Sequence, residues 1–418
     1  MWKYLYNVVV HLALPFFSLF ALFNRKIRNN LRERLIPQGV EEGSEGLVWI
    51  HAASLGESAI AQNLVEQIGL TVPDARFLVT TNTYYARDLL RRKLGQNVLV
   101  RSLPLDLPFS INRFMGSSIF RGLILVETEL WPNLIWTARR RGIPIVIVNG
   151  RISDSTVRRY RLVSSLLRPL FSCVDLVLAQ SVSHAERFIQ LGMDPQRVIS
   201  GGNLKYFRNI STLPRRQQRY EVVTFGSIKE KELDPVIRVI LDLKKRFPQL
   251  KVFVAPRELR LASAIEDSLR QSLNTIRYSV LRGHREDLEG FDAVVVDTVG
   301  DLMDIYGESD VAFVGGSLAP YGGQNMLEPL FFETPVLFGP HVENFKEVAD
   351  QVIATGGGIL VNSAKELLEK MSFLLENDQD RMDMGRAGRG IIDAQNRVMV
   401  ETVARIRGVL WKDCSQSS

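Results

Sequence analysis

Three short stretches in the first half of the chain place carboxylates and a cation where a strand hands over to a helix. HAASLGES, His51 to Ser58, follows an apolar run and opens a helix. Its Ser54-x-x-Glu57 is a capping box, with Glu57 reaching back to the Ser54 N–H. A glutamate there, ionised at neutral pH, is equally placed to take a proton from an acceptor hydroxyl. VETELWPN, Val126 to Asn133, ends another strand and puts Glu127 and Glu129 on alternate sides. The plainer reading gives one of these carboxylates the task of capping the next helix. NLKYF, Asn203 to Phe207, closes a further strand and sets Lys205 next to a linker. On its own that lysine reads as a solvated charge.

In the second half the candidate residues suit a phosphate and a sugar. GSIKEKE, Gly226 to Glu232, is a strand–turn–helix start whose backbone can line a phosphate. APRE, Ala255 to Glu258, ends the next strand with Pro256 and Arg257, the latter a planar fork for phosphate. VVDTVGDL contributes the turn Val299, Gly300 and Asp301. The stretch from Asp310 to Pro340 reads as a strand (Val311 to Val314), a turn with Gly322 and Gly323, a helix from about Met326 to Glu333, and a strand (Pro335 to Phe338). Asn325 can cap that helix, whose N-terminus would attract an anion. Met326 and Leu327 follow, and Glu328 sits one turn in, where it can accept hydrogen bonds from sugar hydroxyls. A tight turn with an Asn-x-x-Glu capping box is the structural alternative.

These residues need a scaffold that brings strand ends together. Short β-branched runs recur between longer amphipathic stretches: Leu47 to Ile50, Phe77 to Thr80, Val98 to Val100, Leu123 to Val126, Ile143 to Val148, Leu176 to Ala179 and Val198 to Ser200. After a polar, arginine-rich stretch they resume at Val222 to Phe225, Val252 to Val254, Ile276 to Leu281, Ala293 to Val296, Val311 to Val314, Val336 to Phe338 and Ile359 to Val361. Runs apolar on both faces are buried parallel strands, and their alternation with helices predicts doubly wound sheets. The expected architecture is α/β, with two facing Rossmann-like domains and a site in the cleft between them. The expected boundaries are 1–34 for an anchor and basic flank, 35–208, a linker at 209–219, and 220–418 including a helical tail. A length of 418 residues allows two to three domains.

Lys and Arg number 52 against 46 Asp and Glu, a mild excess that favours anionic surfaces or ligands. It gives no support to nucleic-acid binding, because the strongest basic cluster adjoins an apolar N-terminus and not aromatics. Cys173 and Cys414 form neither a metal-ligand nor a redox spacing, as expected in a reducing compartment. The five histidines are scattered, which disfavours a histidine-rich metal site. Tyr4 to Phe23 is mostly apolar and is followed by Arg25, Lys26, Arg28, Arg32 and Arg34. The run just reaches spanning length, and the basic flank places the rest of the chain in the cytoplasm. Asn7, His11 and Pro15 leave room for a helix lying in the membrane interface.

Other chemistries lack their motifs. There is no P-loop, no Gly-x-Gly-x-x-Gly after the first strand, no nucleophile elbow, and no Asp-x-Asp at a strand end for a nucleotide's divalent metal. HAASLGE, PLDLPFS, VETELWPN, GNLK, GS…E, PR and GGQNMLEP, in that order, resemble the Kdo transferases of lipopolysaccharide assembly. The resemblance runs from the N-terminus to the tail. It implies a GT-B type glycosyltransferase of Gram-negative bacteria that moves 3-deoxy-D-manno-octulosonate (Kdo) from CMP-Kdo to a hydroxyl of the lipid A precursor, lipid IVA. It implies Glu57 as general base, Glu127 and Lys205 as transition-state stabilisers, and CMP held by Pro256-Arg257, Val299 to Asp301 and Asn325 to Glu328. The chain departs from the family pattern at Gln324 and Glu258, where His is common, and in the Lys229 to Glu232 turn. An inverting, metal-free reaction at the cytoplasmic face of the inner membrane is expected, with no cofactor beyond the donor and no protein partner. The competing readings are a nucleotide-sugar epimerase and a non-catalytic sugar-nucleotide-binding membrane protein.

Overall fold

The computed structural model describes residues 2–22, 33–40, 45–95, 98–161, 164–208, 220–281 and 288–411. The basic run at 25–32, residues 41–44 and the linker at 209–219 lie outside the described residues. The chain divides into two compact units, Met1–Asn209 with Gln395–Ser418, and Ile210–Ala394.

In the first unit the β-branched runs become seven parallel strands among the described residues: β1 (Leu47–His51), β2 (Arg76–Thr81), β3 (Val98–Ser102), β4 (Phe120–Val126), β5 (Ile145–Gly150), β6 (Leu176–Ala179) and β7 (Val198–Ser200). Their order is β3-β2-β1-β4-β5-β6-β7, all pairs parallel. Alternate residues serve two cores, as the period of two requires. Leu47, Trp49, Leu123, Leu125, Ile145 and Ile147 join one cluster; Val48, Ile50, Ile124, Val126, Val146 and Val148 join the other. Strand order reverses between β1 and β4, and a doubly wound sheet opens a crevice at that point.

The second unit repeats the plan with β8 (Val222–Ile228), β9 (Lys251–Pro256), β10 (Thr275–Arg277), β11 (Ala293–Val295), β12 (Val311–Val314), β13 (Val336–Phe338) and β14 (Gly358–Leu360). Its order is β10-β11-β9-β8-β12-β13-β14, again parallel throughout, with the reversal between β8 and β12. The expected strand Ile276 to Leu281 stops early: Tyr278–Leu281 turns into a short helix. The Ser279 N–H and hydroxyl, both held by Asp297, fix that turn.

Residues 395–411 group with the first unit, whereas the tail was expected in the second. The helix Asp378–Leu410 carries Met399, Val403, Ile406 and Leu410 into the core of the first unit, beside β1 and β4. Gly122 on β4 makes room for it: a Cβ there would lie 2.4 Å from Leu410 Cγ.

The N-terminal apolar run forms a helix, Trp2–Leu22, with Pro15 inside it. No helix among the described residues is long and apolar enough to cross a membrane, so the spanning anchor is not supported. The polar residues that dilute the helix are its attachment points. Tyr6 donates to Asp106 Oδ2 (2.8 Å), Asn7 and Asn133 exchange amide hydrogen bonds, and Tyr6 meets Trp136 edge-on. Its other side leaves Tyr4, Leu5, Val8, Val9 and Leu12 at least half exposed.

Candidate active site

At the β1–β4 reversal the first unit gathers carboxyl groups. The helix Leu55–Thr71 begins with Ser54 as cap, its Oγ accepting the Glu57 N–H. The Glu57 side chain does not reach the Ser54 N–H, as a capping box would have it. Its Oε1 accepts from the Ser54 hydroxyl at 2.6 Å, and its Oε2 goes one residue further back, to the Ala53 N–H at 2.8 Å. Both oxygens are thus oriented in a nearly buried site.

Glu127 follows β4 with φ of +60°, a left-handed conformation that costs a non-glycine residue about 1–3 kcal/mol and is typical of functional sites. Burial and the neighbouring Glu57 charge push its carboxyl up, while Arg151 and Lys205 pull it down. The structure therefore brings together Glu57, Glu127 and Lys205, and adds Arg151, which no motif singled out. Thr128 ties Arg151 in place, its hydroxyl bonded to both the Arg151 carbonyl and N–H. Lys205 sits on the turn Leu204–Tyr206, whose Leu204 N–H donates to Asn149 Oδ1 at 2.9 Å. Asn149 is buried, left-handed at φ +55°, and marks a bulge in β5.

Glu129 completes the group. Trp131 Nε1–H donates to its Oε2 at 3.1 Å, and His51 Nε2 stands 3.9 Å from the same oxygen. Burial, then Glu57 and Glu127, push the Glu129 carboxyl up. His51 is fully buried and driven down to about 3, so it is neutral. Among the described residues no three His, Cys, Asp or Glu side chains are grouped to hold a metal ion.

In the second unit the expected donor residues lie along the carboxyl edge of the sheet. Pro256 is the buried end of β9, and the exposed Arg257 donates its N–H to the Ile228 carbonyl, tying the β9 and β8 ends. Val299 is 82% exposed at a turn tip, Gly300 has φ +101°, and the nearly buried Asp301 precedes the helix Leu302–Gly307.

Two expectations need correction. The helix expected from Met326 to Glu333 is only Leu327–Leu330: Phe332 N–H turns back to the Pro329 carbonyl and Glu333 N–H to that of Leu330, and Glu333 is left-handed at φ +59°. So short a helix has little dipole to offer. What remains is side-chain chemistry: Asn325 accepts from Leu327 N–H and donates to Glu328 Oε1. Gly322 is needed for its φ of +85° and for Asn344, whose Nδ2 would lie 2.2 Å from a Cβ.

The turn after β8 is likewise not open to a phosphate. Glu232, with no exposed surface, ties that turn to the one after β12: Oε1 accepts from Ser317 and Leu318 N–H, Oε2 from Gly316 and Lys229 N–H. It is a built-in hydrogen-bond acceptor at the β8–β12 reversal. In the sequence it is one glutamate of a charged run, and three of its four partners lie more than 80 residues away.

Comparison with known proteins agrees with the motif order. The family model described as 3-Deoxy-D-manno-octulosonic-acid transferase (kdotransferase) matches residues 29–208. The 3-deoxy-D-manno-octulosonic acid transferase of Haemophilus influenzae is 31% identical over 94% of this chain and 95% of its own. That of Aquifex aeolicus is 29% identical over 82% and 90%. Among solved structures, the UDP-GlcNAc 2-epimerase of Neisseria meningitidis superposes with a TM-score of 0.53 at 12% identity, over 86% of this chain and 100% of that one. At that identity the likeness speaks for the fold alone, two parallel-sheet α/β units. The near-complete overlap with the Haemophilus relative is what decides kinship: this chain belongs to the Kdo transferase family.

Proposed function

We propose that the protein transfers Kdo from CMP-Kdo to a hydroxyl of the lipid A precursor lipid IVA, by direct displacement with inversion and without a metal ion. The observation that carries this reading is Glu57, oriented by two hydrogen bonds at the sheet reversal beside Glu127, on which Lys205 and Arg151 both act. Glu57 takes the proton of the acceptor hydroxyl as it attacks the ketosidic carbon from the face opposite CMP. Glu127 steadies positive character at that carbon, and Lys205 the phosphate gaining charge. Pro256-Arg257, Val299 to Asp301 and Asn325 to Glu328 hold CMP, Arg257 supplying the phosphate fork. One phosphate leaves with less charge than a diphosphate, which supports a metal-free route.

The acceptor is a lipid, and the helix Trp2–Leu22 supports work at a membrane surface. Its docked side holds Tyr6 and Asn7, and its exposed Tyr4, Leu5, Val8, Val9 and Leu12 suit an interfacial helix at the cytoplasmic face.

The test is Glu57→Gln. CMP binding is retained while transfer to lipid IVA, read by mass analysis, falls about 10²- to 10⁴-fold. Near-normal turnover would remove Glu57 from its role.

A further inference from the structure

Lys205 and Glu127 stand at the ends of strands that are not neighbours. Lys205 follows β7 and Glu127 follows β4, three strand spacings apart in the order β4-β5-β6-β7, roughly 14 Å at about 4.8 Å each. The chain leaving β7 therefore travels back along the sheet edge before it reaches Lys205, and hydrogen bonds mark its route. Gly201 N–H donates to the Ala179 carbonyl at the end of β6 (2.8 Å), and Leu204 N–H to Asn149 Oδ1 on β5 (2.9 Å). Val148, the residue before Asn149, accepts the Glu127 N–H at its carbonyl (2.9 Å). Consecutive residues of β5 thus hold the Glu127 backbone and the turn that bears Lys205.

We propose that Asn149 is the positioning residue for Lys205, its amide drawing the Leu204–Tyr206 turn over β5 and setting the lysine beside Glu127. This rests on the reading of Lys205 as a participant in transfer. The carbonyls on either side of Asn149 are engaged by the Glu127 and Gln180 N–H groups, so it is the side chain that meets the turn. The bulge between Val148 and Gly150 takes Asn149 out of the β5–β6 pairing, at a left-handed φ of +55° that asparagine tolerates better than most residues. Buried Leu204 and Phe207 flank the exposed Lys205 and join Ile60 and Leu64 of the Glu57 helix in one core cluster. Asn63 of that helix donates to the Phe207 carbonyl at 3.2 Å. The turn is pinned at both ends, and the Asn149 pin is next to Glu127 along β5.

A double-mutant cycle on the full chain tests this. Asn149→Gly accommodates the left-handed backbone and removes the acceptor. Kdo transfer falls about 10²-fold, the effect of a misplacement on the order of 1 Å. Added to Lys205→Ala, it deepens the loss by less than about twofold, because it acts through the lysine. Hydrogen exchange at the Leu204 amide quickens by about fivefold or more, while β1 and β4 amides keep their protection. A fully multiplicative loss in the double variant, near-normal transfer in Asn149→Gly, or unchanged exchange at Leu204 overturns the proposal. Should Asn149→Gly not fold, Asn149→Asp decides: it keeps an acceptor for Leu204, and Nδ2 has no hydrogen-bond partner among the described residues to lose. Its transfer is expected to stay well above that of Lys205→Ala, and an equal loss overturns the proposal. Were Lys205→Ala to transfer normally, the reading of Lys205 would fail, while exchange at Leu204 still decided whether Asn149 holds the turn.

Discussion

Glu232 shows what a single residue can hold. Its carboxyl gathers four backbone N–H groups from the turns after β8 and β12 and has no exposed surface. Replacing it with Ala leaves those donors buried without an acceptor, at about 1–3 kcal/mol for each that finds no water. The expected result is a loss of at least about 3 kcal/mol in denaturant unfolding of the second unit; a loss below 1 kcal/mol would mean that water replaces the carboxylate. Glu57 and Glu232 were unequally legible. Glu57 shares a helical turn with its partners Ala53 and Ser54, so spacing alone exposed its capping geometry, though not which N–H it takes. Glu232, Arg151 and Asn149 are defined by partners on other strands, which no local pattern carries.

Among the elements, the C-terminal helix is the one whose place the chain order misled. Its Met399, Val403, Ile406 and Leu410 recur at a spacing of three or four, so the helix and its apolar face were readable. Which core would receive that face was not, since both units offer one of the same composition. The receptive site is defined by Gly122 on β4. Ile406→Ala, at a fully buried position, is expected to destabilise the first unit by about 2–5 kcal/mol. Native-state hydrogen exchange should show β1 and β4 amides losing protection while those of β8 and β12 keep theirs. The N-terminal helix makes a related point. Hydropathy saw an apolar run, whereas Tyr6 and Asn7 bond to Asp106 and Asn133, about a hundred residues on. Asp106 also accepts from the Asn133 and Leu134 N–H groups, capping the helix Pro132–Arg140 from a distant loop.

At the scale of the whole molecule, the proposed division of labour gives the base to one unit and the nucleotide to the other. Its metal-free character is checked by a chelator, which is expected to leave the initial rate of Kdo transfer unchanged; a loss of tenfold or more would reinstate a divalent ion. The sequence by itself determined the two parallel-sheet units, because buried strands must be apolar on both faces and punctuated by helices. It also determined the family, because a series of motifs in fixed order is far more specific than any one of them. Only the tertiary structure decided that the last helix returns to the first unit, that a buried glutamate ties the turn expected to bind phosphate to the one after β12, and that Glu129 stands beside His51, on Glu57's side of the sheet. Those are contacts between strand ends brought together by sheet order, and sheet order is set by which apolar faces pack, not by the spacing of residues along the chain.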